Sequence, residues 1–202
     1  MYDDKINRTI GFHRFFSTLS KMTVVALVVY GSKSAARISQ VLDELNIHHY
    51  LVLPDEIPTI AYTHIILSGG PDHVYIKDEH LPEWVINSSV PVLGICYGMQ
   101  LIAYHFGGTV KAMASKEKGY YNVCEIVTIN RSISQSTKRR WMNRLDEVQT
   151  VPPQFHVTGI NADDGIVAFT DHRKYWAVQY HPEHCEKGVS ADTSVFTRFL
   201  ET

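Results

Sequence analysis

Cys96 stands between two glycines, in Gly94-Ile95-Cys96-Tyr97-Gly98, directly behind the apolar run Val90-Pro91-Val92-Leu93. That run reads as a buried strand, and Met99-Gln100-Leu101-Ile102-Ala103-Tyr104 reads as the helix that follows it. A cysteine on a sharp strand–turn–helix has the form of a nucleophile elbow, with Cys in place of Ser. The glycines fit this geometry, because strand and helix approach so closely that the neighbours of the nucleophile must be small. A thiol at a helix N-terminus faces unpaired N–H groups that favour the thiolate, the attacking form. Such a thiol needs a base, and Gln179-Tyr180-His181-Pro182-Glu183 supplies His181, with Glu183 to orient and charge-stabilise the imidazole. Taken alone, G-x-C-x-G describes an inert buried cysteine in a tight turn, and His-Pro-Glu a polar turn before a helix. Together they describe a nucleophile, its base and an orienting acid.

The elements that must position these residues follow from periodicity. Met22 to Tyr30 is a β-branched apolar run and predicts a buried parallel strand. Ala35 to Leu45 carries apolar residues at helical spacing, while Tyr50 to Leu53 and His64 to Leu67 predict two more strands, separated by the break Pro54 to Pro58. Leu81 to Ile86 predicts a short helix and Pro91 to Ile95 the strand that leads into Cys96. Strands alternating with helices give an α/β layer fold: an open, mostly parallel sheet flanked by helices. The chemistry-bearing segments then fall at the C-terminal ends of the strands, where such sheets place their sites. From Val123 the texture changes. Val123 to Ile129, Gln149-Thr150-Val151, Phe155 to Thr158, Ile166 to Thr170 and Trp176 to Tyr180 are short β-rich runs, expected to add an antiparallel segment in the C-terminal half. Asn130 to Lys138 is polar and reads as a surface loop, and Asp192 to Leu200 as a closing helix.

Length and composition bound the rest. A chain of 202 residues favours one domain with a sizeable core. We divide it into an N-terminal extension over 1–22 and one domain over 23–202. A net charge of −2 asks for neither nucleic acid nor an anionic membrane as partner. Three cysteines are too few and odd in number for a disulfide framework, which points to a reducing, cytoplasmic setting. No stretch reaches the length of a membrane span, and residues 1–22 lack the apolar core of a signal peptide. The eleven histidines are scattered, so no metal site is expected. His181, His184 and Cys185 lack a fourth ligand at zinc spacing, and Pro182 would interrupt a helix there.

Three blocks in order carry a resemblance: Ser68-Gly69-Gly70-Pro71, Gly94-Ile95-Cys96-Tyr97-Gly98-Met99-Gln100, and Gln179-Tyr180-His181-Pro182-Glu183. They resemble the class I, triad-type glutamine amidotransferases, most closely the amidotransferase domain of GMP synthase, over about residues 23–202. Tyr30-Gly31-Ser32, Trp141-Met142 and Ala177-Val178-Gln179 support the likeness. The resemblance implies a flavodoxin-like sheet and a Cys96–His181–Glu183 triad that hydrolyses glutamine through a γ-glutamyl thioester. It implies an oxyanion hole from the Tyr97 and Gly70 N–H groups, and substrate contacts from Gly69 and Gln100. It also implies a separate synthetase partner that receives the ammonia; no cofactor is expected on this chain, with ATP and magnesium needed only by that partner.

The likeness has departures. After Trp141-Met142 the family wording Ser-His-Gly-Asp is replaced by Asn143-Arg144-Leu145-Asp146. A left-handed Leu145 in place of Gly would cost about 1 kcal/mol or more. Lys118-Gly119-Tyr120-Tyr121 stands near a family Arg/Glu–aromatic–Gly segment, in a register the sequence leaves open. Ser68-Gly69-Gly70-Pro71-Asp72 also looks like part of a pyrophosphate-binding S-G-G-x-D-S loop. It follows the third strand rather than the first, however, and His73 replaces the final Ser. Two other functions share this fold and these motifs: a stand-alone γ-glutamyl hydrolase or peptidase, which the altered 143–146 segment would suit, and a weakly active regulatory binding module, which an intact triad argues against.

Overall fold

The structure is a computed structural model and describes residues 22–129, 132–162 and 165–202. Apart from Met22, the expected N-terminal extension lies outside the described residues.

Four short apolar segments form the parallel core of the sheet: β1 (Val24–Val28), β2 (His48–Val52), β3 (His64–Leu67) and β4 (Val92–Ile95). β1 pairs in parallel with β2 and β3, and β3 with β4. Side chains of a strand alternate between faces, so a strand covered on both sides is apolar at nearly every residue. β3 and β4 are buried at every residue. On one face Ala26, Val28, Ile65, Leu67 and Val92 pack with α4 (Tyr97–His105) and with the short helices α2 (Val74–Lys77) and α3 (Glu83–Asn87). On the other, Val25, Leu27, Ile66, Leu93 and Ile95 meet α1 (Ser32–Glu44) and α5 (Thr193–Leu200). The helical spacing of Ala35, Ile38, Val41 and Leu42 puts all four on the buried side of α1. Phe196 and Phe199 do the same for α5, each contributing about 1.5–3 kcal/mol by leaving water.

Beyond β4 the sheet continues as β9 (Tyr175–Val178), β8 (Ile166–Thr170), β6 (Ser132–Thr150), β5 (Thr109–Ile129) and β7 (His156–Asn161). β9 is the hinge of the topology: it runs parallel to β4 and antiparallel to β8. β7 pairs with both β5 and β8, so the antiparallel half curls back on itself. The open, mostly parallel sheet with a C-terminal antiparallel addition is the architecture read from the pattern.

The largest correction concerns that addition. Val123–Ile129 and Gln149–Thr150 are parts of one long hairpin, its strands of 21 and 19 residues. Ser132 to Lys138, expected as loop, belongs to β6, while Asn130 and Arg131 lie outside the described residues. Val123 pairs with Lys138 and Glu125 with Ser136. Residues Ser134 to Arg139 are exposed without alternation, so both faces of this strand meet solvent. Its polar composition follows from that exposure, while the partner strand satisfies its backbone.

The root of the hairpin is tied down by charge. Buried Arg140 pairs with Glu125 across the hairpin and with Asp192, the residue that caps α5 by accepting from the Ser194 N–H. The Arg140 guanidinium also lies 4.7 Å from the centre of the Tyr180 ring. Because Tyr180 precedes His181, this network fixes the segment that carries His181. Beside α5, a cavity of about 260 Å³ borders Arg140 and Trp176, away from Cys96.

Candidate functional site

At the end of β4 the backbone turns sharply into α4, and Cys96 takes φ 53° and ψ −104°. This is positive-φ backbone that L side chains rarely adopt. The flanking glycines make the turn possible. A Cβ on Gly94 would lie 2.5 Å from the Gly98 carbonyl oxygen, and one on Gly98 would lie 2.5 Å from the Leu67 carbonyl oxygen. The Cys96 N–H donates to Val178 O at 2.8 Å, locking the elbow to β9.

His181 and Glu183 leave the end of β9 on a pinned turn. The His181 N–H donates to Trp141 O at 2.9 Å, the His184 N–H to His181 O at 3.1 Å, and the Asp192 N–H to Pro182 O at 2.8 Å. His181 Nδ1 lies 2.8 Å from Glu183 Oε1, and Glu183 is only 2% exposed. A carboxylate at Nδ1 makes that nitrogen the N–H, leaving Nε2 free for proton transfer. Nε2 is buried. Burial alone would push the imidazole down, but the Cys96 sulfur and Glu183 outweigh it and hold His181 well above the usual histidine range. A histidine charged by a neighbouring sulfur and carboxylate is the electrostatic condition for a thiolate–imidazolium pair.

Cys96, His181, Glu183, Gly69 and Gly70 all border one open cavity of about 710 Å³ at the C-terminal edge of the parallel sheet. The first turn of α1 forms one wall, and Trp141, Asn143 and Lys118 of the hairpin another. Gly69 is pressed between two neighbours: a Cβ there would lie 3.1 Å from His181 Cε1 and from Ser34 Oγ. Tyr97 and Gln100 do not border the cavity. The Tyr97 hydroxyl donates to Glu79 at 2.5 Å beneath the Gly70 loop. Gln100 is buried, and its amide donates to Asp146 O and to Gln179 Oε1, both at 3.3 Å.

The profile of the family described as "Glutamine amidotransferase class-I" matches residues 27–201, nearly the whole described chain. The chain belongs to the class I glutamine amidotransferase family. Among amidotransferase relatives, the GMP synthase [glutamine-hydrolyzing] of Campylobacter hominis is 42% identical over 130 residues, covering 61% of this chain and 25% of that protein. The enzyme of the same name from Thermotoga petrophila is 35% identical over 172 residues, covering 82% of this chain and 34% of that one. The chain thus spans between a quarter and about a third of the length of these relatives. A solved structure from Thermoplasma acidophilum, described as a GMP synthase subunit, superposes with a TM-score of 0.74 at 25% identity, covering 89% of this chain and 93% of that one. No helix among the described residues is long and apolar enough to cross a membrane.

Against the amidotransferase wording, the altered segment 143–146 now has a place. Leu145 is an extended residue of β6, 47% exposed, and is absent from the positive-φ positions. The expected left-handed cost therefore does not arise. Within the hairpin Lys118 pairs with Asn143, and Tyr120 with Trp141. Asp146 is buried, and its carboxylate lies 2.7 Å from His73 Nδ1 and accepts the Tyr75 hydroxyl at 3.0 Å. These contacts tie the hairpin to the segment that follows the Gly70 loop.

Four residues at the site had no role in the sequence reading. The Gln179 amide donates to Cys96 Sγ at 3.5 Å from a fully buried position. His184 stacks face to face on Trp141, with centroids 3.8 Å apart, and Arg37 Nη1 lies 3.1 Å from His184 Nδ1. An Arg donor at Nδ1 leaves the proton on Nε2, and burial followed by the Arg37 charge pushes His184 below the usual range. Ser34, on the first turn of α1, bonds to both Glu183 and Gly69. Its only signal in the sequence was a hydroxyl at a helix start beside a strand end.

Proposed function

We propose that the chain is a glutaminase subunit or domain that releases ammonia from glutamine for a separate synthetase of the GMP synthase type. Cys96 Sγ attacks the side-chain carboxamide carbon, and the carbonyl electrons move onto oxygen. The resulting oxyanion is held by the Gly70 and Tyr97 N–H groups. The C–N bond then breaks as His181 passes the proton it holds to the departing nitrogen, giving ammonia and a γ-glutamyl thioester on Cys96. Water attacks the thioester carbon, His181 takes its proton, and glutamate leaves as the bond between the acyl carbon and Cys96 Sγ breaks, returning the sulfur as the thiolate beside protonated His181. Glu183 keeps the imidazole in the productive tautomer and stabilises its charged form. Gly69 and Gln100 are assigned to glutamine binding, Gln100 acting from below through Gln179 and the Asp146 backbone. ATP and magnesium belong to the synthetase, which makes the acceptor ready for ammonia.

The observation that carries this reading is the convergence of the elbow sulfur, a histidine and the buried carboxylate bonded to it on one cavity in a chain of this family. The GMP synthase relatives support the choice of partner class. The test is glutamate release by the purified chain, with glutamine and a γ-glutamyl dipeptide compared at equal concentration, alone and with a synthetase. Glutamine preferred, and hydrolysis raised by the synthetase, is the expected result. Dipeptide preferred would mean a γ-glutamyl hydrolase, and no turnover of either would overturn the reading.

A further inference from the structure

The Ser34 hydroxyl touches both halves of the proposed machinery at once. Ser34 Oγ donates to Glu183 Oε1 at 2.7 Å and accepts the Gly69 N–H at 3.1 Å. The same Glu183 oxygen takes the His181 Nδ1–H at 2.8 Å, while Oε2 is buried without a hydrogen-bond partner among the described residues. Two donors thus converge on one oxygen, and no described residue bonds to the other. A carboxylate bound only by His181 could turn about its terminal bond and offer either oxygen. The second donor removes that freedom. On its other side, Ser34 holds the Gly69 N–H, in the peptide one before the Gly70 N–H, and so anchors the start of the loop that carries the oxyanion donor.

We infer that Ser34 is a positioning residue, whose single hydroxyl fixes the carboxylate that orients His181 and the loop that carries the oxyanion donor. The inference rests on the glutaminase reading above. Among the described residues Ser34 Oγ makes no hydrogen bond to Cys96 or His181 and bonds instead to Glu183 and Gly69. Both of those matter most when charge develops on the imidazole and on the carbonyl oxygen. Loss of the hydroxyl therefore lowers kcat and leaves KM for glutamine little changed. The substitution is mild for the fold: alanine has the higher helix propensity, and α1, with Gly31 as its N-cap, has no side-chain cap that the change could disturb.

The experiment is steady-state glutamine hydrolysis by wild type, Ser34→Ala, Glu183→Ala and the double variant, with thermal melts as a folding control. Ser34→Ala is expected to lose about 10–100-fold in kcat, the weight of one hydrogen bond to a charged group, with KM within about twofold. In the Glu183→Ala background the same substitution is expected to cost much less, because its main partner is already gone. An active wild type with kcat unchanged in Ser34→Ala overturns the inference alone. So does a loss confined to KM, or a full loss repeated in the Glu183→Ala background. An inactive wild type overturns the glutaminase reading, and this inference with it.

Discussion

Replacing Cys96 by alanine and by glycine separates the strain of the elbow from the chemistry of the thiol. Both variants lose the sulfur, so the difference between them is one Cβ on a backbone held at φ 53° and ψ −104°. An L-residue in such a conformation costs about 1–3 kcal/mol, which glycine escapes. Glycine gives back about 0.5–1 kcal/mol through the greater freedom of its unfolded chain. The balance leaves Cys96→Gly more stable than Cys96→Ala by about 1 kcal/mol, in a range of about 0–2.5 kcal/mol. At ordinary positions the order is the reverse. For a domain of this size about 1 kcal/mol is a rise of about 2–4 °C in melting temperature. Urea titrations and calorimetry of the two inactive proteins measure it directly. A glycine variant that melts at or below the alanine variant would refute the idea that the fold holds its nucleophile under backbone strain.

Gly98→Ala is expected to destabilise by about 1–3 kcal/mol in urea, because the new methyl would sit 2.5 Å from the Leu67 carbonyl oxygen and must push α4 off β3. Arg140→Ala leaves Glu125 buried without its main partner and frees the α5 cap, for an expected loss of about 3–5 kcal/mol by the same measurement. His181 titrates in the folded protein well above its unfolded value of 6.5. Its charge therefore adds stability that is fully present below the unfolded pKa and is lost as pH rises through the folded one. The unfolding free energy of wild type minus His181→Gln should accordingly shrink as pH is raised from 6 towards 10; a difference that stays flat or grows contradicts the charged state assigned to His181.

The parts of the fold and site that were legible in the sequence share a physical cause: each leaves a local mark. Strands buried on both faces are apolar at nearly every residue, so β1, β3 and β4 stood out, with His64 at the start of β3 the exception, and the amphipathic spacing of Ile38, Val41 and Leu42 revealed α1. Gly94 and Gly98 announced the elbow because no larger residue fits where they lie. The long hairpin left no such mark. Its outer residues, exposed on both faces, carry the composition of a loop, and its backbone bonds are made to a strand the sequence does not place opposite. Ser34 and Glu183 are 149 residues apart, and a serine at the start of a helix is too common to be noticed. The convergence of Gln100, Gln179 and Asp146 was equally hidden, since buried amides find their partners only once the sheet is assembled.

The central claim, that Cys96 is the nucleophile of a glutamine site, is tested most directly by intact mass after incubation with an electrophilic diazoketone analogue of glutamine. Wild type is expected to gain a single adduct, mapped to the peptide that contains Cys96 and suppressed by excess glutamine, while Cys96→Ala gains none. An unmodified wild type, or an adduct that persists in Cys96→Ala, would contradict it.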